Sequence, residues 1–274
     1  MDLLTPLVSN FSPSVKTYFS GKTCLSGGYD GLTPVGHLHV IKSGNLTVGL
    51  QNGQEMFINQ PTVLFFPRPY AHHFRPDEFG VELVCCMVDL GFAEQNPLTL
   101  SLPEVVCIPL AELSSIGATL DLLYQEAFSE EIGRQMALDH LFEYFIIHVI
   151  RYLISKGQFI RGALAAMSDP KIAHALNAMH QKPSHPWTLE ELAHLSSMSR
   201  SRFSEKFRLL TGITPLDYLT TWRLAVARGQ LRQGKSLKTI ATMVGYQSPE
   251  ALSKVFQKKV GQTPAQWIKR LATT

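Results

Sequence analysis

Residues 198–215 read MSRSRFSEKFRLLTGITP and residues 247–264 read QSPEALSKVFQKKVGQTP. The two stretches align at an offset of 49 residues, so one short pattern is written twice in the chain. Apolar residues three and four apart, followed by a glycine, predict a short helix that ends at the glycine. The aligned pairs are Phe203 with Leu252, Ser204 with Ser253, Phe207 with Phe256, Gly212 with Gly261, Thr214 with Thr263, and Pro215 with Pro264.

Each stretch forms the second part of a predicted helix-turn-helix. Thr188 and Glu191 have the capping-box spacing that starts a helix, and Ser199 can cap the helix after the turn. In the second copy, Ser248 followed by Pro249 predicts a helix start of the same kind. The offset between the copies is 48 residues at the first helix and 49 at the second. One residue is therefore inserted in the second turn.

Residues 215–234 predict one amphipathic helix between the two units, with apolar side chains at helical spacing. A helix of this length spans about 28 Å. One turn of B-DNA is about 34 Å, so this spacer can place two recognition helices in successive major grooves on one face of the duplex.

Charge is divided unequally along the chain. Residues 170–274 carry 16 Lys or Arg against 5 Asp or Glu, a balance of +11, although the whole chain carries only +3. The first 169 residues therefore carry −8. A strongly basic C-terminal half indicates a polyanionic partner for that half, and double-stranded DNA fits the duplicated helices.

The second unit, IATMVGYQSPEALSKVFQKKVGQTPAQWI (240–268), resembles the signature of the AraC/XylS transcription regulators. The resemblance covers about residues 170–270 and departs at Trp267, where the family usually has Tyr followed by Arg. We expect that departure to affect packing more than recognition. The resemblance implies a DNA-binding regulator, not an enzyme, with promoter DNA and RNA polymerase as partners. The residues leave open whether it is an activator or a repressor.

The resemblance also implies which side chains contact DNA. In the first unit, Ser201, Ser204 and Glu205 would contact base edges, and Arg200, Arg202 and Arg208 would contact phosphates, which supply affinity more than sequence choice. In the second unit, the matching positions are Pro249, Glu250, Ser253 and Lys254. Lys254 can bond a guanine, and a glutamate can accept a hydrogen bond from a cytosine amine. Helix capping or plain solvent exposure is the alternative role for each Ser and Glu.

The N-terminal half predicts a small β-barrel. Residues 45–50 alternate with period two, and QNGQ (51–54) holds an Asn-Gly hairpin signal. The strand order resembles the cupin barrel that serves as effector domain in many AraC-type regulators. We therefore expect an α+β multidomain chain: a cupin-like effector and dimerisation domain at 1–160, a linker at 161–172, and an all-α domain with two helix-turn-helix units at 173–274.

Cupin enzymes hold a metal with an H-x-H pair, a Glu and a later His. His37, His39 and either His72 or His73 imitate part of that set, but the next Glu after His39 is Glu55. We therefore predict neither metal nor cofactor. The alternative function, a metal-dependent cupin enzyme with an accessory helical domain, is disfavoured by the missing Glu and by the duplicated recognition unit.

Two helical segments, 111–130 and 134–156, are predicted after the barrel. The second carries a wide apolar stripe from Leu138 to Leu153. By the family resemblance such helices form a dimer interface, so we expect a homodimer. The alternative is that the stripe packs only against its own barrel.

Cysteines suggest a trigger for regulation. Cys24 lies beside Lys22, and a nearby cation can lower the pKa of a thiol and raise its reactivity. Cys85 lies on the apolar face of a predicted strand. The pair resembles the reactive-chlorine-sensing subgroup of AraC regulators, in which oxidation would join or modify these two residues. Two alternatives stay open: structurally inert cysteines, or a small molecule bound inside the barrel.

The four cysteines have no C-x-x-C spacing, so neither a zinc knuckle nor a secreted disulfide framework is indicated. Reduced thiols favour a cytoplasmic protein. The most apolar segment, 141–154, is interrupted by Glu143, His148 and Arg151, which predicts a packed helix without a membrane span.

Overall fold

The structure is a computed structural model that describes residues 4–5, 13–90, 97–159 and 161–271. The ends of the predicted domains include residues outside these ranges. The chain divides into two compact units, Pro13–Ile160 and a second unit that contains Arg161–Thr274. Each unit is described by itself.

The N-terminal unit is built on one antiparallel sheet of seven strands. The main path runs β1-β6-β3-β5-β7, with β2 paired to β6 and β4 paired to β3. The strands are β1 (Ser14–Thr23), β2 (Gly27–Tyr29), β3 (Gly36–Leu50), β4 (Glu55–Ile58), β5 (Thr62–Phe66), β6 (His72–Asp89) and β7 (Val106–Pro109).

Strands β3 and β6 each bend near the middle, and their pairing continues on both sides of the bend. At the bend of β3, Gly44 has a φ of +96°, and a side chain there would collide with the backbone oxygen of Gly80. Register shifts between Ile41 and Ser43 and between Gly44 and Leu46 mark bulges, which increase local bending. The sheet consequently folds over an apolar core that includes Leu46, Val48, Leu64, Phe66, Phe74 and Leu83.

Helices cover one side of this sheet. They are α1 (Pro97–Ser101), a 3₁₀ helix (Leu110–Ile116), α2 (Gly117–Ala127) and α3 (Arg134–Lys156). Helix α3 lies against β1, where the Thr17 backbone N–H donates to Asp139 Oδ1 at 2.8 Å and Gln135 Nε2 donates to the Thr17 carbonyl at 2.8 Å. These bonds fix the helix on its own sheet.

The apolar stripe of α3 is buried within its own unit, from Leu138 through Phe142 and Phe145 to Leu153. The stripe therefore does not provide the dimer surface that the sequence suggested, because packing against the sheet already uses it. The outer face of α3 presents Met136 and Tyr144 to solvent.

The C-terminal unit consists of helices alone among its described residues. They are α4 (Ala163–Ser168), α5 (Pro170–Gln181), α6 (Leu189–Leu195), α7 (Arg200–Thr211), α8 (Pro215–Arg232), α9 (Leu237–Met243), α10 (Pro249–Val260) and α11 (Pro264–Leu271). The two helix-turn-helix units are α6 with α7 and α9 with α10, and α8 is the single helix between them. This confirms the predicted fold class.

The predicted helix starts are confirmed. Thr188 and Glu191 form a complete capping box, and Ser199 and Ser248 accept hydrogen bonds from backbone N–H groups in the first turns of α7 and α10. The turn residues also correspond: Ser197 has a φ of +50° in the first unit, and Gly245, 48 positions later, has a φ of +81°. The inserted residue of the second unit thus lies after this left-handed turn residue.

The predicted linker, 161–172, contains α4 and the start of α5. Ala163, Leu164 and Ala166 are buried, the Gly162 N–H donates to the Leu210 carbonyl at 2.9 Å, and α4 packs on α7. Small apolar residues, which the sequence reading assigned to a spacer, instead form a short helix of the C-terminal unit.

None of the described helices combines the length and the apolar character needed to cross a membrane.

Candidate nucleic-acid interface and sensor site

The first recognition helix, α7, is held to the core by one side and exposes the opposite side to solvent. Phe203 and Phe207 are fully buried with ring centroids 5.6 Å apart, and Phe207 packs edge-on against Tyr218 of α8. Because these anchors face the core, the opposite side of α7 faces solvent. The six predicted contact residues of this unit all lie there, with Arg200, Ser201, Arg202, Glu205 and Arg208 exposed and Ser204 half-buried.

Four of these residues share one surface depression of about 570 Å³. It is lined by Ser201, Ser204, Glu205 and Arg208, together with Leu209. Leu209 was not predicted as a contact, although its side chain is 66% exposed. An exposed leucine beside polar groups is the type of side chain that can touch a thymine methyl.

The first turn of α7 carries the cations Arg200 and Arg202, and Arg200 forms an ion pair. Arg200 Nη1 lies 4.0 Å from Glu190 Oε2, and both side chains are largely exposed. Exposed pairs of this kind contribute little to stability, so Arg200 can exchange the glutamate for a phosphate. On the neighbouring side of the helix, Lys206 forms an ion pair with Asp169, the N-cap of α5.

The second recognition helix, α10, has the same anchoring and a different outer face. Leu252 and Phe256 are fully buried, and Trp267 packs edge-on against Phe256 with centroids 6.0 Å apart. The four predicted contact residues lie on the outer side, with Glu250 and Lys254 exposed and Pro249 and Ser253 half-buried. A hydrogen bond with Ser248 lowers the pKa of the Glu250 carboxyl, so this residue is an anion at the helix start.

The two candidate redox cysteines lie apart in the N-terminal unit. Cys24 is exposed and directly follows Thr23, which pairs with Val81, whereas Cys85 pairs with Phe19 and is buried. Four residues of extended strand span about 13 Å. A disulfide requires Cα atoms within about 7 Å, so the direct Cys24–Cys85 link is not available in this conformation.

Cys85 instead lies in a buried cluster of histidines. Its Sγ is 3.1 Å from His39 Nδ1, His39 Nε2 is 3.2 Å from His72 Nε2, and His72 Nδ1 donates to the Tyr70 carbonyl at 2.8 Å. His37 packs against Tyr29, with ring centroids 4.3 Å apart and the rings tilted by 36°. Burial lowers the pKa of His39 well below its usual range and that of His72 to about 4, and it raises the pKa of Cys85 to about 12.

This cluster does not fit the cupin metal set. Both nitrogens of His39 take part in hydrogen bonds, His73 lies on the opposite side of β6 and is exposed, and no carboxylate of the described residues completes a set with the rings. Within the described ranges, no group of three or more His, Cys, Asp or Glu residues is arranged to hold a metal ion. We therefore derive no step through a metal.

Sequence reasoning found the histidines one by one but missed their contact with Cys85. The alternation of β3 and β6 does place His39 and Cys85 on inward faces. Their pairing depends on the register between two strands more than forty residues apart in the chain, which no local pattern encodes.

Comparison with known proteins agrees with the two-unit fold. Residues 2–155 match the Cupin family model, and residues 192–270 match a helix-turn-helix domain model. An HTH-type transcriptional regulator from Haemophilus influenzae is 34% identical over 261 residues, covering 86% of this chain and 87% of its own length. The chain belongs to the AraC family of transcription regulators.

Two further relatives carry informative names. A putative AraC-like transcription regulator from Streptomyces antibioticus is 35% identical over 179 residues, and this chain spans only 59% of its length. The RCS-specific transcriptional activator RclR from Escherichia coli is 28% identical over 239 residues, with 85% of this chain and 84% of that protein covered.

Proposed function

We propose that the protein is a sequence-specific transcription regulator that binds double-stranded promoter DNA through α7 and α10. The observation that carries this proposal is the pair of recognition helices, each with a buried aromatic anchor and an open outer face, separated by the 18-residue helix α8. Eighteen helical residues span about 27 Å. This separation suits two helices that enter successive major grooves on one face of the duplex.

The first unit would supply both kinds of contact. Ser201, Ser204 and Glu205 line the depression on α7 and would meet base edges, whereas Arg208 at its rim would meet a phosphate. Arg200 and Arg202, exposed in the first turn of α7, add two further cations near the helix N-terminus, where phosphates are also favoured by the helix dipole.

The second unit would depend more on base contacts. Lys254 is exposed one turn into α10 and would bond a guanine, with Ser253 beside it. Pro249 and Glu250 occupy the first turn, so this helix start lacks the cations of the first unit. We therefore expect the two half-contacts to differ in base preference and the operator to be asymmetric within one monomer's site.

The N-terminal unit would control DNA binding in response to a signal. An oxidant acting on Cys24 and Cys85 is one candidate, supported by the 28% identity to the relative named RCS-specific transcriptional activator RclR. Because the two thiols are far apart in one chain, each would be modified separately, or the link would follow a rearrangement. Alternatively, a small molecule bound inside the sheet would shift the equilibrium between a DNA-binding state and an inactive state, because it binds one of these states better than the other.

The remaining assignments follow from this function. Residues 1–160 would sense the signal and 173–274 would bind DNA, in the cytoplasm and in contact with RNA polymerase. A homodimer would use a surface other than the buried stripe, and the outer face of α3, around Met136 and Tyr144, is one candidate. The relatives reported above are regulators, and we propose no enzymatic activity for the cupin unit.

Selection from a random duplex library with the full-length protein tests the function. We expect an enriched asymmetric site bound with a strong salt dependence. Selection repeated after mild hypochlorite treatment should change the affinity if an oxidant is the signal. Absence of any enriched sequence under both conditions would contradict sequence-specific binding. An affinity that oxidant does not change would exclude an oxidant as the signal, and a small molecule would then be the candidate that remains.

A further inference from the structure

The hydrogen-bond chain through the buried histidine cluster runs in one direction only. The Tyr70 carbonyl can only accept, so His72 Nδ1 carries a proton and donates it. Both rings are neutral near pH 7 because burial lowers their pKa values, and a neutral imidazole has one N–H. His72 Nε2 must therefore accept from the N–H of His39 Nε2, which leaves His39 Nδ1 to accept from the Cys85 thiol.

We propose that His39 and His72 form a proton relay that accepts the thiol proton of Cys85 when a two-electron oxidant attacks its sulfur. This inference rests on the oxidant branch of the proposed function and names its chemistry. The role assigned to the two histidines is proton transfer, which does not require a metal ion. His39 is the direct acceptor, and His72 is the positioning residue that fixes the tautomer of His39.

The relay explains how Cys85 can react although its thiol is buried. Burial raises the pKa of the Cys85 thiol to about 12, so almost none of it is thiolate at neutral pH. A buried thiol can still react if its proton leaves during the attack, and His39 Nδ1, 3.1 Å away, already accepts that proton in a hydrogen bond. The acceptor and the sulfur are therefore in place before the oxidant arrives.

With hypochlorous acid, the reaction transfers chlorine from oxygen to the Cys85 sulfur. The sulfur electron pair bonds to chlorine, the O–Cl bond breaks, and hydroxide leaves. The thiol proton passes to His39 Nδ1, and the proton on His39 Nε2 passes to His72 Nε2. His72 Nε2 then returns that proton to His39 Nε2, and His39 Nδ1–H, which faces the sulfur, protonates the departing hydroxide, so that thiol and hypochlorous acid give a sulfenyl chloride and water. Hydrolysis then yields the sulfenic acid with chloride and a proton.

A bulge in β1 places a hydroxyl beside the same sulfur. The register shift between Thr17 and Phe19 leaves Tyr18 as the extra residue, and bulges re-aim side chains in this way. A hydrogen bond from Tyr18 opposes the rise in the Cys85 pKa, and the Tyr18 hydroxyl also bonds that of Tyr29. The Tyr18 side chain is 40% exposed, so a residue in contact with the sulfur also reaches solvent.

The neighbouring cysteine provides an internal control. Cys86 is as buried as Cys85, but it faces the other side of β6, where a backbone hydrogen bond with Leu38 and the charge of Asp139 act on it. If burial alone governed reactivity, the two thiols would react at similar rates. The relay predicts that Cys85 reacts much faster.

The test is the oxidation rate of each cysteine in the full-length protein, measured by peptide mass spectrometry after substoichiometric hypochlorite and alkylation of the remaining thiols. His72→Gln and His39→Gln should slow the oxidation of Cys85 by about a hundredfold, the low end for positioned proton transfer. His73→Gln, one residue from His72 but on the exposed side, should leave the rate unchanged. Deuterium oxide should slow Cys85 in the natural chain and not in His72→Gln.

The outcomes separate the two levels of the proposal. Rapid Cys85 oxidation that His72→Gln does not slow would overturn the relay and leave oxidant sensing intact. No Cys85 oxidation in the natural chain would overturn both. If the variants fail to fold, the nitrogen chemical shifts of the natural protein decide: a proton on Nδ1 of His72 and on Nε2 of His39 is expected, and the opposite tautomers would overturn the relay.

Discussion

The two helix-turn-helix units share their construction and differ in their surfaces. Both have a serine cap before the second helix, a left-handed turn residue and a fully buried phenylalanine, at Phe207 and Phe256. The outer face of α7 begins with Arg200 and Arg202, whereas that of α10 begins with Pro249 and Glu250. The interior of a repeat is thus constrained by packing, while its exposed positions are free to acquire different binding chemistry.

The largest expected effect tests the shared construction. Phe207→Ala and Phe256→Ala should each destabilise the C-terminal unit by about 3–5 kcal/mol, because each removes a fully buried ring. All three tryptophans, at 187, 222 and 267, lie in this unit, so urea unfolding followed by tryptophan fluorescence reports on it alone. A loss below about 1 kcal/mol for one variant only would show that the two anchors are not equivalent.

The next effect tests the difference between the surfaces. Arg208→Ala should weaken binding to all DNA sequences alike and lower the slope of log affinity against log salt by about 1, because one phosphate contact is lost. Lys254→Ala should cost about 1–3 kcal/mol on the preferred site and little on mismatched sites. Shift assays at several salt concentrations distinguish these patterns, and identical behaviour of the two variants would remove the proposed division of roles.

Acid should affect the first unit before the second. Burial lowers the pKa of His180 to about 3, and this ring bonds the Tyr218 hydroxyl at 2.9 Å and stacks on Trp222. Above pH 6.5 the ring is neutral in both states. As the pH falls from 6.5 towards 3, only the unfolded chain binds the proton, so stability is lost by at most about 1.4 kcal/mol per pH unit.

The control for this prediction is His180→Gln, which cannot titrate and should flatten the acid limb of the stability curve. The corresponding buried polar group beside the second unit is Arg228 of α8, which lies over the Phe256 ring of α10, and its pKa of about 10 keeps it charged throughout this range. Hydrogen exchange at pH 5 should therefore show α5 and α7 opening before α10. Equal opening of both units would contradict the assignment.

The smallest effect concerns the two turns. Ser197 adopts a left-handed conformation where the second unit has Gly245. Ser197→Gly should relieve strain of about 1–2 kcal/mol, partly offset by about 0.4–1 kcal/mol of added freedom in the unfolded chain. We expect a net gain of about 0.5–1 kcal/mol in the same urea assay, with Ser197→Ala as the control that retains the strain. No difference between the variants would show that the turn is unstrained.

Local chemistry explains what the sequence could and could not predict. Caps, turns and helix ends follow from neighbouring residues, so Thr188, Ser199, Ser248 and Gly212 marked the helices correctly. Helix α4 was missed because its small apolar residues carry no cap signal, and its stability comes from packing on α7.

The N-terminal unit was predicted in outline and not in its contacts. The alternation of strands and the order of hairpins indicated the cupin-like sheet. The stripe of α3 was visible, but whether a sheet or a second chain covers it depends on tertiary packing. The approach of His39 to Cys85 and His72 likewise depends on long-range strand register. The dimer surface and the redox pairing were therefore the weakest expectations.

Hydroxyl-radical footprinting of the full-length protein on its selected site tests the central claim most directly, namely that two unequal recognition helices bind one face of DNA. We predict two protected patches about 10–10.5 base pairs apart on the same face. Lys254→Ala should weaken only the patch bound by α10, and Arg208→Ala only the patch bound by α7. A single protected patch, or two patches on opposite faces, would contradict the account.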